Sequence, residues 1–406
     1  MPLLLYLPVL SYLFTNRGEA AASLLFLSGE NKMNYLNMEL KFPDYDKSTV
    51  SLISSVYKHF KIKPFHKTLP ELDGLLKREQ KNVIIMLFDG LGTSVLEKNL
   101  PKNAFLRKHF ATSISAVFPP TTVAATTSIQ TGLTPKEHGW LGWDMYFKEL
   151  DKNVTVFTNN VQGTNKKAAG KSVAEKYMPI KNFPEIFEEN NAEAKTEWIS
   201  AFSKSKAKNL CDICKKVLES SKEDGEKYIY AYYNEPDSLM HVFGTSHILV
   251  KLKILQINLS VKKLCKKLKN TLVIVTADHG HVDVKPVFLS DFPEITDCIL
   301  RPFSIEARAA ALFVKDEYKA VFPEIWNKYL GDKFRLFSKD DVRTLGLFGT
   351  GAENPHNDSS YGDFLAVATD KYYLENSRKA KFICKGAHAG ITKEELEIPF
   401  IAIDIE

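Results

Sequence analysis

An α/β/α sandwich around a mostly parallel sheet is the fold this sequence predicts, and three observations predict it. Val83–Phe88, Tyr228–Tyr233 and Thr271–Thr276 are unbroken runs of apolar, aromatic and β-branched residues, the pattern of strands buried on both faces. Each run is followed closely by an acid: Asp89, Asp237 and Asp278. Helix-forming stretches separate the runs, as crossovers between parallel strands require.

At 406 residues the chain exceeds the usual single-domain length, so one large domain with an insertion, or two domains, is expected. A hydrophobic share of 44% and a charged share of 25% are those of an ordinary globular protein and argue against disorder. The net charge of +5 is small and comes partly from lysine-rich stretches such as Val261–Lys269. No aromatic residues interleave with that charge, so it reads as a solvated helix face, and stable nucleic-acid binding is not expected.

Five cysteines are too few and too scattered for a disulfide framework and fit a reducing compartment, so a cytoplasmic protein is expected. Cys211 and Cys214 form a CxxC pair without a second pair nearby; three-residue spacing puts both on one helix face, as core residues. Residues 1–37 read as a mis-extended start or disordered leader, and 38–406 as the folded domain. Pro2–Phe14 is apolar but shorter than the roughly 20 residues needed to span a bilayer, so no membrane span is expected. Secretion is the alternative if residues 1–22 act as a signal peptide, with Ala20–Ala22 as a weak cleavage site.

In chain order, residues 48–60 predict a helix and Val83–Phe88 a strand ending in Asp89-Gly90. A short strand over Ser113–Val117 leads to Phe118-Pro-Pro-Thr-Thr122, a proline turn delivering two threonines into a helix that runs toward Gly132. His138 falls in a turn before the aromatic run Trp140–Phe147 and reads as a buried, hydrogen-bonded histidine. Short strands follow at 154–158 and 196–200. Tyr228–Tyr233 ends in Asn-Glu-Pro-Asp237, with His241 one helical turn on. A long amphipathic helix over 247–268 precedes Thr271–Thr276 and Asp278-His279-Gly280-His281. From 290 to 380 the pattern loosens into a cap-like insertion with strands at 309–314 and 364–369 around a helix at 316–329. His388 then lies between glycines, and Ile398–Ile403 is the last strand.

Taken singly, each acid could be a turn or helix cap and each histidine a packed side chain. Together, three aspartates, three histidines and a hydroxyl are close to the six to eight ligands, roughly, that two divalent cations need, and mixed Asp/His sets suit zinc. A threonine is a weak nucleophile at neutral pH and needs a cation to stabilise its alkoxide.

These residues resemble the alkaline phosphatase superfamily, in its type I phosphodiesterase / nucleotide pyrophosphatase branch. The shared motifs are Phe88-Asp-Gly90, Phe118-Pro-x-x-Thr122 with Thr131-Gly132, Glu235-Pro-Asp-Ser238 with His241, Ala277-Asp-His-Gly280 and Gly386-x-His388. The resemblance implies that Asp89, Thr122, Asp278 and His279 hold one metal and Asp237, His241 and His388 the other. It implies Thr122 as nucleophile, because the family's lies ten residues before the glycine of Thr-Gly, here Gly132. It also implies hydrolysis through a phosphothreonine, with two divalent ions, zinc or else manganese, and a small phosphoester such as a nucleotide as substrate. Trp143, with Asp144 beside it, stands where nucleotide pyrophosphatases carry a phosphate-holding asparagine, and both are expected in the substrate pocket. A phosphomonoesterase or phosphonate hydrolase on the same metals is the alternative, with Arg301 and Arg308 as groups for terminal phosphate oxygens. A silent binding protein of the same fold is a further one. Nothing in the sequence sets the oligomeric state.

Overall fold

The computed structural model describes residues 41–78, 80–380 and 382–406; residues 1–37, expected as a leader, lie outside the described residues. The central sheet has six strands: β1 (Asn82–Phe88), β2 (Phe110–Ser115), β3 (Lys195–Ile199), β4 (Lys227–Tyr233), β5 (Thr271–Thr276) and β6 (Glu397–Ile405). Their order is β2-β6-β5-β1-β4-β3. β1 lies at the centre, with Ile85 opposite both Tyr230 of β4 and Ile274 of β5 in parallel register. β6 alone runs against the others, pairing antiparallel with β5 and β2. All residues of β1 and β5 are buried, whereas the edge strand β3 alternates, as a strand covered on fewer sides should. Since β2 spans Phe110–Ser115, it starts three residues before the strand expected there.

The helices that frame the site are α1 (Thr49–His59), α2 (Thr122–Thr131), α3 (Leu210–Lys222), α4 (Asp237–Phe243) and α5 (Ile248–Cys265). α1 begins at a capping box in which Ser48 and Ser51 satisfy each other's main-chain N–H groups. α1 packs against α2, and α3 against α5. Tyr228 of β4 stacks on Phe187 at 5.7 Å and meets Phe60, beyond α1, at 6.4 Å. Residues 228 and 230 therefore share one face of β4, by the two-residue period of a strand. α5 buries Val250, Ile254, Ile257, Val261 and Leu264 at helical spacing. Its outer face is not purely polar, however: Leu252, Leu255 and Leu259 are exposed among the lysines.

A second sheet of seven strands, antiparallel throughout, runs in the order 334–338, 364–368, 309–312, 304–306, 144–147, 152–155 and 160–161. The stretch 290–380 supplies four of these strands, and a small core of its own around Trp326, Phe322 and Phe334. The other three come from 144–161, so the aromatic run after Trp140 is half strand, where only a short strand at 154–158 was expected. The CxxC pair also departs from expectation. Both residues lie in the first turns of α3, but Cys211 is exposed and only Cys214 packs, and all five cysteines are free thiols. Among the described residues no helix is long and apolar enough to cross a membrane.

Candidate active site

The C-terminal ends of β1, β4 and β5 converge. Asp89 follows β1, Asp237 opens α4 just past β4, and Asp278 and His279 follow β5. Main-chain links fix the three ends: the Asp237 N–H donates to the Asp89 carbonyl at 3.1 Å, and the Gly90 N–H to Asp278 Oδ1 at 3.0 Å. Gly280 has to be glycine, since a Cβ there would lie 1.8 Å from the Glu394 carbonyl oxygen. His241 follows Asp237 by one turn of α4, and the loop before β6 brings in His388. Thr122 is the first residue of α2. All seven expected ligands thus meet at one place.

The side chains are held in the orientation that a cation needs. Three histidines each donate from Nδ1 to a main-chain carbonyl: His241 to Gly386 at 2.9 Å, His279 to Gly280 at 2.9 Å and His388 to Pro120 at 3.0 Å. That leaves Nε2 of each directed at the acids. Among the described residues donor atoms come together in three groups: Asp89, Asp278 and His279; Asp237, His279 and His388; and Asp237, His241 and His281. Oδ1 of Asp237 and Oδ2 of Asp278 are buried without a hydrogen-bond partner. Buried carboxylate oxygens left so are costly unless a cation completes them, so this Asp/His donor set fits a divalent metal.

The electrostatics agree. Burial, with the Asp89 charge beside it, pushes the Asp278 carboxyl well above the usual carboxylate range. Burial also acts to raise Asp237, but His241, His281 and His388 outweigh it and hold that carboxyl well below the usual range. His279 is driven up to about 10: burial opposes its charge, and Asp278 and Asp89 more than offset the burial. The Tyr232 hydroxyl donates to Asp89 Oδ2 from the end of β4.

Thr122 Oγ1 stands 3.4 and 3.5 Å from the two oxygens of Asp89 and 3.3 Å from Nε2 of His279. Ligands sharing one tetrahedral cation at bond lengths near 2 Å are separated by about 3.3 Å, so the spacing matches a common ion. Thr126 instead bonds back to the Thr122 carbonyl, and Thr127 is buried, which leaves both as packing residues.

Two residues near the site carried no expected role. His281 is 2% exposed, its Nε2 lies 3.2 Å from Asp237 Oδ1, and neither ring nitrogen makes a hydrogen bond. A histidine two residues after His279 was the available signal. Glu306, from the second sheet, accepts from Thr121 Oγ1 at 2.6 Å and from the Trp143 N–H at 2.8 Å. Burial pushes its carboxyl up to about 7. A lone glutamate in Ser-Ile-Glu offers the sequence reader no signal.

Glu306 places the Trp143 main chain beside the start of α2, while the indole packs edge-on to Phe157 at 5.9 Å. Asp144 is occupied within the second sheet, accepting from Thr155 at 2.5 Å and from Gln162 at 3.2 Å.

The sequence profile of the type I phosphodiesterase / nucleotide pyrophosphatase family matches residues 83–391, a span holding every residue of this site. The chain belongs to that family. It is accordingly a phosphoester hydrolase of the alkaline phosphatase superfamily. Among solved structures it is similar to murine ectonucleotide pyrophosphatase / phosphodiesterase 5, with a TM-score of 0.61 at 18% identity over 80% of this chain and 88% of that one. The human protein of the same name gives 0.62 at 16% identity, over 80% and 87%. An inactive variant of the murine protein in complex with AMP matches equally, at 0.61 and 18%. Among curated proteins none matches in sequence.

Within this family member, the arginines considered for phosphate binding are committed elsewhere. Arg308 is fully buried in a two-bond pair with Glu395. Arg301 lies over the ring of Tyr146, 4.2 Å from its centroid, and pairs with Asp151. His138 is the buried turn histidine expected: Nδ1 accepts from the Trp140 N–H at 3.0 Å and Nε2 lies 3.1 Å from Ser128 Oγ.

Proposed function

We propose that this phosphoester hydrolase acts on phosphodiesters of the nucleotide pyrophosphatase type, with Thr122 as nucleophile and a phosphothreonine intermediate. The observation that carries it is the position of Thr122 Oγ1 between Asp89 and His279, at the first turn of α2. Asp89, Thr122, Asp278 and His279 would hold one divalent ion and Asp237, His241 and His388 a second. These ions, zinc by the donor chemistry or else manganese, would supply Lewis acidity that lowers the pKa of hydroxyl and water and offsets phosphoryl charge.

The chain's own residues do the rest. The Thr122 hydroxyl gives up its proton and its Oγ1 bonds to phosphorus as the bond to the leaving oxygen breaks; that oxygen departs with the electron pair and takes up a proton. The phosphothreonine so formed still carries the second ester group; water then breaks its bond from phosphorus to Oγ1, releasing a phosphomonoester and regenerating the hydroxyl. First-turn N–H groups of α2 have no intrahelical partner and stand ready for a non-bridging oxygen. The Trp143 main chain, held by Glu306, stands beside them. A nucleotide substrate is supported by the AMP bound to the murine neighbour.

The alternatives on the same ligands, monoester or phosphonate hydrolysis, are separated by substrate. A panel of p-nitrophenyl phosphate, bis-p-nitrophenyl phosphate, a dinucleotide and a phosphonate, each with added zinc or manganese, should show preference for the diesters. Equal or greater turnover of the monoester would replace the diesterase reading, and no turnover of any, with no metal bound, would indicate a silent binding protein.

A further inference from the structure

Thr121 occupies the N-cap position of α2, yet its hydroxyl does not cap the helix. Its backbone is already in the extended conformation that capping residues adopt, with φ −140° and ψ 151°. The N–H groups that a residue in this position caps are those two and three positions on, here Val123 and Ala124. What holds the hydroxyl away is Glu306, whose Oε1 accepts from it at 2.6 Å and from the Trp143 N–H at 2.8 Å. The N-terminus left uncapped is the one that carries Thr122, next to buried oxygens of Asp237 and Asp278 that lack partners. A self-capped helix would spend on its own threonine the donors that an incoming phosphoryl oxygen needs.

We infer that Glu306 is a positioning residue for the hydrolysis: it withdraws the Thr121 hydroxyl from the end of α2 and so keeps that end open for the substrate's phosphoryl oxygens. The inference rests on the proposed role of Thr122, and it adds a contribution from the second sheet. Because the carboxylate acts through Thr121, its loss should be repaired by removing the hydroxyl it restrains. A merely structural role would not give that rescue.

The test uses the full chain loaded with zinc and reads the inhibition constant of inorganic phosphate together with KM and kcat for bis-p-nitrophenyl phosphate. Glu306→Ala should weaken phosphate binding about tenfold, the scale of one N-cap hydrogen bond, and raise KM similarly. Adding Thr121→Ala to that variant should restore both. Glu306→Gln, whose amide oxygen still accepts both donors, should bind phosphate as the wild type does. Should Glu306→Ala fail to fold, Glu306→Asp withdraws the acceptor by one methylene and should show the same weakening and the same rescue. Unchanged phosphate affinity in the single variant, or a double variant as impaired as the single, overturns the inference. Thr122→Ala run alongside keeps the two readings apart. A dead Thr122→Ala with no rescue at Thr121 removes only the role of Glu306, whereas a fully active Thr122→Ala removes the nucleophile assignment itself.

Discussion

Arg308 and Glu395 form a fully buried pair, Nε to Oε1 and Nη2 to Oε2, each at 2.7 Å. The same carboxylate accepts from the Gly390 N–H at 2.7 Å, so the pair ties the second sheet to the loop that carries His388. Removing one partner of such a pair strands a buried charge, which typically costs about 3–5 kcal/mol. Arg308→Ala should therefore lower stability by about that much in chemical denaturation, and Arg308→Lys should not restore it, because a lysine cannot match the planar fork. A variant of full stability with a raised KM would instead make Arg308 a substrate ligand.

His281 presses on Asp237 with both nitrogens unpartnered. Replacing it by methionine keeps the bulk and removes the donors. The donor atom of His281 lies with those of Asp237 and His241 in a group that could hold a metal ion, and residues around metal ligands usually contribute 10–100-fold, roughly, to metal affinity. Competition with a chelator, followed by metal analysis, should show one of two bound ions released at correspondingly lower chelator concentration. Equal retention in wild type and variant would leave His281 as packing.

His138 is 1% exposed, and burial lowers its pKa to about 3. Below pH 6.5, roughly the ordinary value, the unfolded chain gains a proton there that the folded chain refuses, so the stabilising contribution is present above that pH and lost as pH falls toward 3. Each pH unit within that window should remove about 1.4 kcal/mol. His138→Asn, which retains an acceptor for the Trp140 N–H, should flatten stability against pH between 6 and 5 by that amount. Parallel pH profiles for the two proteins would show that the histidine is protonated in the fold.

The strands that deliver Asp89, Asp237 and Asp278 were legible because parallel strands buried on both faces are written as continuous apolar runs, and each acid follows its run closely. His388 and Thr122 were legible only through family motifs, since neither a Gly-x-His nor a Pro-Thr-Thr turn reports what lies across space. The second sheet was less legible for a physical reason. Its strand 144–147 meets 304–306 through a single pair, Asp144 with Ile305, some 160 residues apart in the chain, and no local periodicity records so distant a pairing. Glu306 was hidden by the same distance. α5 shows a subtler limit: it was expected as an amphipathic helix and its buried face follows that spacing, but Leu252, Leu255 and Leu259 are exposed on the opposite side.

The central claim is that the hydroxyl of Thr122 becomes covalently phosphorylated during turnover. Acid quenching of the zinc-loaded protein during hydrolysis of bis-p-nitrophenyl phosphate, followed by peptide mass spectrometry, tests it most directly. The account predicts a phosphoryl-containing adduct on Thr122, absent from Thr122→Ala, together with a loss of several orders of magnitude in turnover for that variant, about 10³-fold or more. An adduct on Thr121 or another residue, or a Thr122→Ala protein that turns over the diester at the wild-type rate, would contradict it.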